Sequence, residues 1–378
     1  MHTSINKNLL FVFGTRPEAI KMAPIIKECS KFPEHVTFKV CVTGQHREML
    51  DQVLSFFEIV PDYDLDVMKT DQNLVTLSAS ILNGLKPVFD EYKPDAVFVQ
   101  GDTTTATIVA LAAFYSGIRV YHVEAGLRTF NKLSPFPEEV NRQLIARIAD
   151  IHFAPTITAK NHLLEEGIPP SKIWVTGNTV IDALFLGLKK LELYQSDTIK
   201  KLTALIVEGK KLILVTGHRR ENFGEGFKQI CKALIHLSSR QDVQIVYPVH
   251  LNPKVSIPVK ELLGEIKNIH LIDPLGYPEF LWLMNKAHII LTDSGGIQEE
   301  APSLNIPVLV MRDTTEREEA IQAGSARLVG TDIEKIYFEC SKLLYSTKKY
   351  EEMTKNTNPF GDGNASDRIL EVINFTNK

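Results

Sequence analysis

Short, nearly continuous apolar runs alternate along this chain with longer stretches of helical periodicity. Runs at 9–13, 36–42, 95–99, 118–123, 151–154 and 173–176 are rich in β-branched or aromatic residues and bounded by Gly, Pro or Asp. They predict strands buried on both faces. Between them, Met49, Leu50, Val53, Leu54 and Phe57 share one helical face over Arg47–Phe57, and Leu74, Leu77, Ile81, Leu82 and Leu85 do so within Gln72–Tyr92. The scheme starts again with runs at 211–216, 243–249, 269–272, 287–292, 306–311 and 327–329. Alternating β and α elements predict α/β domains built on parallel sheets covered on both faces. Two such series predict two Rossmann-like domains, 1–176 and 177–362, meeting near Gly177. The polar, lysine-rich segment 194–210 reads as an exposed helix and loop, and Asn364–Phe375 as a last helix.

Composition narrows the function classes. A length of 378 residues exceeds one ordinary core. A hydrophobic content of 44% and a charged content of 23% are ordinary for a globular chain. A formal net charge of -4 supplies no basic field for nucleic acid or an anionic membrane. No stretch approaches a membrane span, and the run 9–13 is too short for a secretion signal, so cytoplasm is the default. Cys29, Cys41, Cys231 and Cys340 lie far apart and form no C-x-x-C pair. Buried reduced thiols are expected, with neither a disulfide framework nor a zinc site.

Ligands of open α/β sheets sit at the carboxyl ends of the strands, and the polar motifs cluster there. The first predicted strand ends in Gly14-Thr15-Arg16-Pro17-Glu18 and leads into a helix carrying Lys21. Backbone N–H groups of this turn and Arg16 are expected to hold an anion. The turn is no G-x-G-x-x-G fingerprint, so no dinucleotide is implied. The run 287–292 ends in Asp293-Ser294-Gly295-Gly296, ahead of a helix with Glu299 and Glu300. Ser294, Gly295 and Gly296 are expected to offer a hydroxyl and bare N–H groups to a diphosphate, and Glu300 to accept from ribose hydroxyls. Asp102 follows the strand ending at Gln100, Glu124 follows Val123, and Glu138 opens a helix that carries Arg142. Each carboxylate alone fits a helix cap, but together they put several acid–base candidates over one sheet edge. His218, beside Arg219 and Arg220, and His250 each follow a strand; neither belongs to an H-E-x-x-H or H-x-E metal pattern. Arg312 and Arg317 add cations at the same edge.

These motifs occur in order as GTRPEAIKMAP, GQHREML, QGDTTT, HVEAGLRT, PFPEEVNR, GNTVIDA, TGHRREN, HLNP, TDSGGIQEEAP and RDTTER. The set resembles the non-hydrolysing UDP-N-acetylglucosamine 2-epimerases from about residue 9 to 332. The resemblance implies a two-domain GT-B-like fold with the active site in the interdomain cleft, and a C-terminal helix, about 363–378, packed back on the first domain. It implies interconversion of UDP-GlcNAc and UDP-ManNAc without NAD or a required metal, by a homodimer that binds a UDP-sugar but no nucleic acid or membrane. By resemblance, Arg16, Ser294, Gly295, Gly296, His218 and Arg317 bind the diphosphate, Glu300 the ribose, and Phe280 lies by the uracil. Asp102, Glu124, Glu138 and His218 match positions regarded as catalytic; which carboxylate serves which sugar face is left open.

Two departures stand out. Glu318-Glu319 follows RDTTER where the family usually has Pro-Glu. Gln45, Arg219 and His250 match parts of an activator site found in many bacterial members. Glu48 and Asp71, however, put negative charge where neutral or cationic residues are expected, so activation by UDP-GlcNAc is expected to be weak or absent. Three other readings compete: a GT-B glycosyltransferase, a hydrolysing 2-epimerase, and a non-catalytic UDP-sugar sensor. The three carboxylates, the intact GTRPEAIKMAP string, and the retention of Asp102, Glu124, Glu138 and His218 together argue against them in turn.

Overall fold

The computed structural model describes residues 7–44, 47–68 and 72–375. The chain divides into two units, one holding residues up to Leu186 and again from Phe360, the other Gly187–Pro359. The strands of the first are β1 (Lys7–Phe13), β2 (Val36–Val42), β3 (Tyr63–Asp64), β4 (Ala96–Gln100), β5 (Arg119–Val123), β6 (Ile151–Ala154) and β7 (Ile173–Val175). They pair in the order β3-β2-β1-β4-β5-β6-β7, all parallel. The second unit contains β8 (Lys211–Thr216), β9 (Val243–Pro248), β10 (Ile269–Ile272), β11 (Ile289–Thr292), β12 (Val308–Val310) and β13 (Ala326–Leu328). Their order is β10-β9-β8-β11-β12-β13, again parallel.

Each sheet therefore reverses its strand order once, between β1 and β4 and between β8 and β11. At such a reversal the connections leave towards opposite faces and open a crevice at the carboxyl edge. The loops at those points are Gly14–Thr15 and Gly101–Thr103 in one unit, and Gly217–Arg219 and Asp293–Ser294 in the other. Four of the candidate motifs, GTRPEAIKMAP, QGDTTT, TGHRREN and TDSGGIQEEAP, thus fall where the topology leaves room for a ligand.

The apolar runs form strands because both sheet faces are covered. In the first unit Phe11 stacks on Phe98 with ring centroids 4.6 Å apart, and Phe98 in turn faces Phe153 at 6.2 Å. Each such ring contributes roughly 1.5–3 kcal/mol by leaving water. Among the described residues no helix is long and apolar enough to cross a membrane.

Two expectations need correction. Tyr63–Asp64 is a strand although no apolar run marks it; it pairs with Cys41 and Val42 at the sheet edge. The unit boundary lies after Leu186, not at 176. The helix Thr179–Leu191 buries Val180, Ile181, Ala183 and Leu184, and Asp182 accepts hydrogen bonds from the N–H groups of Ser366 (2.7 Å) and Ala365 (3.2 Å). Those donors open the helix Ala365–Phe375, which packs on the helix Arg16–Cys29. Lys7 Nζ donates to the Ile373 carbonyl. The start of Thr179–Leu191 is therefore held by the first unit, and the last helix belongs to that unit too.

His122 and His152 face each other in the β5–β6 register, and both are buried. Burial pushes His122 down to about 4 and His152 down to about 3. The unfolded chain, with histidines near 6.5, therefore takes up protons first as pH falls. The stability these neutral rings lend is complete above about pH 6.5 and is lost as pH drops towards 4. For His122 alone the loss between pH 7.5 and 5 is about 2 kcal/mol. The melting temperature should fall by more than about 5 °C over that interval. His152→Phe should flatten the fall; an equally steep one in that variant would refute the assignment.

Candidate functional site

In the first unit the groups gather at the carboxyl edge of β1, β4 and β5. Glu124 follows β5 with φ +63, a left-handed backbone that a non-glycine residue holds only at a cost of roughly 1–3 kcal/mol. Its buried carboxylate Oε2 accepts from Lys21 Nζ and from Gln100 Nε2. Two residues on, Gly126 has φ +93, and a Cβ there would lie 2.2 Å from the Ala159 carbonyl oxygen. Only glycine admits this close approach of the helix Ile157–Glu165.

Asp102 is not the cap of the helix it precedes. Thr103 is, its hydroxyl accepting from Ala106 N at 2.9 Å. Asp102 instead receives Arg142 Nε and Nη2 on Oδ2, at 2.8 and 2.7 Å. Asn141 Nδ2 donates to the Asp102 carbonyl at 2.8 Å. Arg142 also reaches Glu139, at 3.2 Å. Glu139 is fully buried and accepts from Thr129 N (2.9 Å), Phe130 N (3.2 Å) and Gln143 Nε2 (3.0 Å). Burial raises its carboxyl, yet these donors outweigh burial and hold it below the usual range. Its neighbour Glu138 stands at the first position of the helix Glu138–Ile148. Glu138 Oε2 is buried, and among the described residues no hydrogen-bond partner reaches it.

The first turn differs from its expected role. Glu18, buried, accepts from Gly14 N (3.1 Å), Thr15 N (2.8 Å) and the Thr103 hydroxyl (2.7 Å). The N–H groups of Gly14 and Thr15 are thus taken by the chain's own carboxylate and do not hold an external anion. Burial raises the Glu18 carboxyl against those donors. Arg16 is half-buried on the same turn. Glu18 and Gln100 escaped sequence reasoning; Glu18 three residues after Thr15 is the capping-box spacing that marks it.

The second unit gathers its groups after β8 and β11. Buried Asp293 accepts on Oδ2 from His218 N and Arg219 N, both at 2.9 Å, and from Asn222 Nδ2 at 3.3 Å. His218 is exposed, and its ring stacks on His250 with centroids 5.4 Å apart. Arg219 turns to the Asp293 carbonyl (3.3 Å) and to Glu316 (3.5 Å). Ser294 N donates to the Thr292 hydroxyl at 2.9 Å, so this N–H is not bare. Gly295 and Gly296 open a helix of six residues, Gly295–Glu300. A Cβ on Gly295 would stand 3.1 Å from Glu316 Oε1, tighter than ordinary contact, so the missing side chain makes room for that carboxylate; Arg317 Cζ, at 3.5 Å, would still be at ordinary contact distance. Arg317 Nε pairs with buried Glu299 at 2.6 Å. Burial pushes Glu316 up, but Arg317 and Arg312 more than offset it and hold its carboxyl at about 2. Phe280 is half-buried on the helix Tyr277–Lys286, and Glu300 is near enough to raise the Tyr277 phenol beyond the effect of its burial.

The structure thus groups Lys21, Asp102, Glu124, Glu138 and Arg142 within one unit, and His218, Arg219, His250, Ser294, Gly295 and Arg317 within the other. Gln45 and Asp71 lie outside the described residues, and Glu48 is exposed on the helix Arg47–Phe56. Asp293, Asn222 and Glu299 were missed as site residues. A carboxylate directly after a strand marked Asp293, but its glycine neighbours dominated the motif.

The sequence model of UDP-N-acetylglucosamine 2-epimerase matches residues 27–374. The UDP-N-acetylglucosamine 2-epimerase of Escherichia coli O157:H7 is 56% identical over 370 residues, 97% of this chain and 98% of that protein. The enzyme of the same name from Campylobacter jejuni is 54% identical over 373 residues, 97% of each chain. The crystal structure of UDP-GlcNAc 2-epimerase from Neisseria meningitidis bound to UDP-GlcNAc is similar with a TM-score of 0.88 at 52% identity, covering 97% of this chain and 99% of that one.

Proposed function

This chain belongs to the UDP-N-acetylglucosamine 2-epimerase family, and we propose that its groups invert C2 of the sugar by reversible elimination of UDP. The C2 proton is not adjacent to a carbonyl, so simple deprotonation gives no stabilised carbanion. Loss of UDP from C1 solves this: the C1–O electron pair leaves with the β-phosphate as a base takes the C2 proton, and 2-acetamidoglucal results. Return of a proton to the other face of C2 and of UDP to C1 gives UDP-ManNAc.

We assign the leaving diphosphate to Arg317, His218, Ser294, Gly295, Gly296 and Arg16, the ribose to Glu300 and the uracil face to Phe280. Asp102, Glu124 and Glu138 serve the two faces of C2. What carries this reading is the gathering of these three carboxylates at one sheet edge. Asp102 and Glu124 are fixed by Arg142 and Lys21, whereas Glu138 Oε2 takes no donor among the described residues and is suited to exchange a proton with substrate. Backbone and guanidinium donors already in place stabilise departing charge without reorganising. We take the enzyme to be a cytoplasmic homodimer that supplies ManNAc-type sugars for surface polysaccharide. The lack of a net basic field supports the absence of a nucleic-acid or membrane partner.

Incubation of UDP-GlcNAc with the protein in deuterated water, followed by NMR, tests the reaction. Deuterium at C2 together with UDP-ManNAc is expected, at an unchanged rate after exhaustive chelation and with no added NAD. Free ManNAc would identify a hydrolysing enzyme instead, and a substrate pool without deuterium would end the proposal.

A further inference from the structure

One buried carboxylate at the edge of the second sheet, Asp293, has an oxygen that no hydrogen-bond donor reaches among the described residues. Asp293 follows β11, beside the β8 loop that carries His218, with Thr292 and Thr216 in register. Its Oδ2 is fully used by His218 N, Arg219 N and Asn222 Nδ2. Its Oδ1 is buried and has no hydrogen-bond partner among the described residues. A buried carboxylate oxygen without a donor is costly, on the order of the desolvation penalty that one hydrogen bond removes. The side-chain donor facing it is on His218, whose Nδ1 stands 3.7 Å away. That distance is too long for a hydrogen bond, but a small rotation of an exposed ring closes it. The ring also stacks on the His250 imidazole, and the neighbouring Arg219 is turned to Glu316 and the Asp293 carbonyl.

Resting on the role given above to His218, we propose that Asp293 is the positioning residue that fixes the His218 imidazole. It accepts Nδ1–H on its free oxygen and so presents Nε2 to the departing diphosphate. A carboxylate bound to one ring nitrogen settles the orientation of the ring and favours the cation that donates to an anion from the other. The same carboxylate holds the backbone on which the ring is carried, so main chain and side chain are set by one group.

The test reads the tautomer directly. Nitrogen-15 NMR of the histidine-labelled full chain without UDP, at a pH where His218 is neutral and with its signals assigned by difference from His218→Asn, should show Nδ1–H in His218. Free histidine favours the opposite form. Asp293→Asn should return His218 to Nε2–H and lower kcat by roughly 10–100-fold with KM nearly unchanged. Wild-type His218 in the Nε2–H form would overturn the proposal, and that measurement stands even if Asp293→Asn fails to fold. So would an Asp293→Asn enzyme that turns over at the wild-type rate. Neither tautomer reading depends on the epimerase reaction, so the assignment of Asp293 and that of the activity fail separately.

Discussion

Glu138→Gln is expected to fold like the native chain and to lose roughly 10²–10⁴-fold in kcat, the usual cost of removing a proton-transfer group. Its Oε2 has no donor to lose among the described residues, so the substitution removes chemistry while leaving the packing in place. Asp102→Asn and Glu124→Gln should show comparable losses, with a difference in stability. Each removes one carboxylate charge from beside a cation, Arg142 or Lys21, and both cations are largely shielded from water; Arg142 keeps Glu139. Their melting temperatures should therefore fall, whereas that of Glu138→Gln should not. Deuterium wash-in at C2, started separately from UDP-GlcNAc and from UDP-ManNAc, adds the face. A variant that slows wash-in from one epimer more than from the other has lost the group serving that face. Near-native turnover in all three variants would remove these carboxylates from the mechanism.

Arg317→Met should be nearly as damaging, for two separable reasons. A charge-assisted hydrogen bond is worth about 1.5–3 kcal/mol, so affinity for UDP should fall by roughly 10–100-fold by calorimetry. Glu299, 1% exposed, would also be left as a buried carboxylate without its guanidinium, and breaking such a pair costs about 3–5 kcal/mol. The melting temperature should fall accordingly. Adding Glu299→Gln removes the stranded charge, so the double variant should regain much of its stability and none of its UDP affinity. If Arg317→Met binds UDP as the native chain does, the diphosphate is held elsewhere. If the double variant regains both properties, Arg317 serves the fold rather than the ligand.

Each of the twelve apolar runs of the sequence overlaps a strand of one of the two parallel sheets. They were legible because a strand covered on both faces must be apolar over its whole length, a local property that needs no partner to be recognised. Tyr63–Asp64 was not legible: two residues at a sheet edge carry no pattern, and only the neighbouring β2 makes them a strand. The end of the first unit was misplaced for a related reason. The helix Thr179–Leu191 has an ordinary apolar face, and what claims its start is the distant helix that opens at Ala365.

The sequence by itself determined that polar and charged groups stand at the strand ends, and so which short segments hold the candidate site. Tertiary structure decided which member of each segment does what. Glu138-Glu139 and Glu299-Glu300 are identical pairs in one dimension. Adjacent residues on a helix point about 100° apart, so the packing of that helix buries one and leaves its neighbour nearer to solvent. Glu139 and Glu299 are consumed in holding a loop and an arginine, while Glu138 and Glu300 are only half-buried. Thr103 caps its helix and so releases Asp102 for Arg142, and Glu18 takes the N–H groups that an anion would have needed. Such choices depend on which donor meets which acceptor across the chain, and sequence spacing carries no such information.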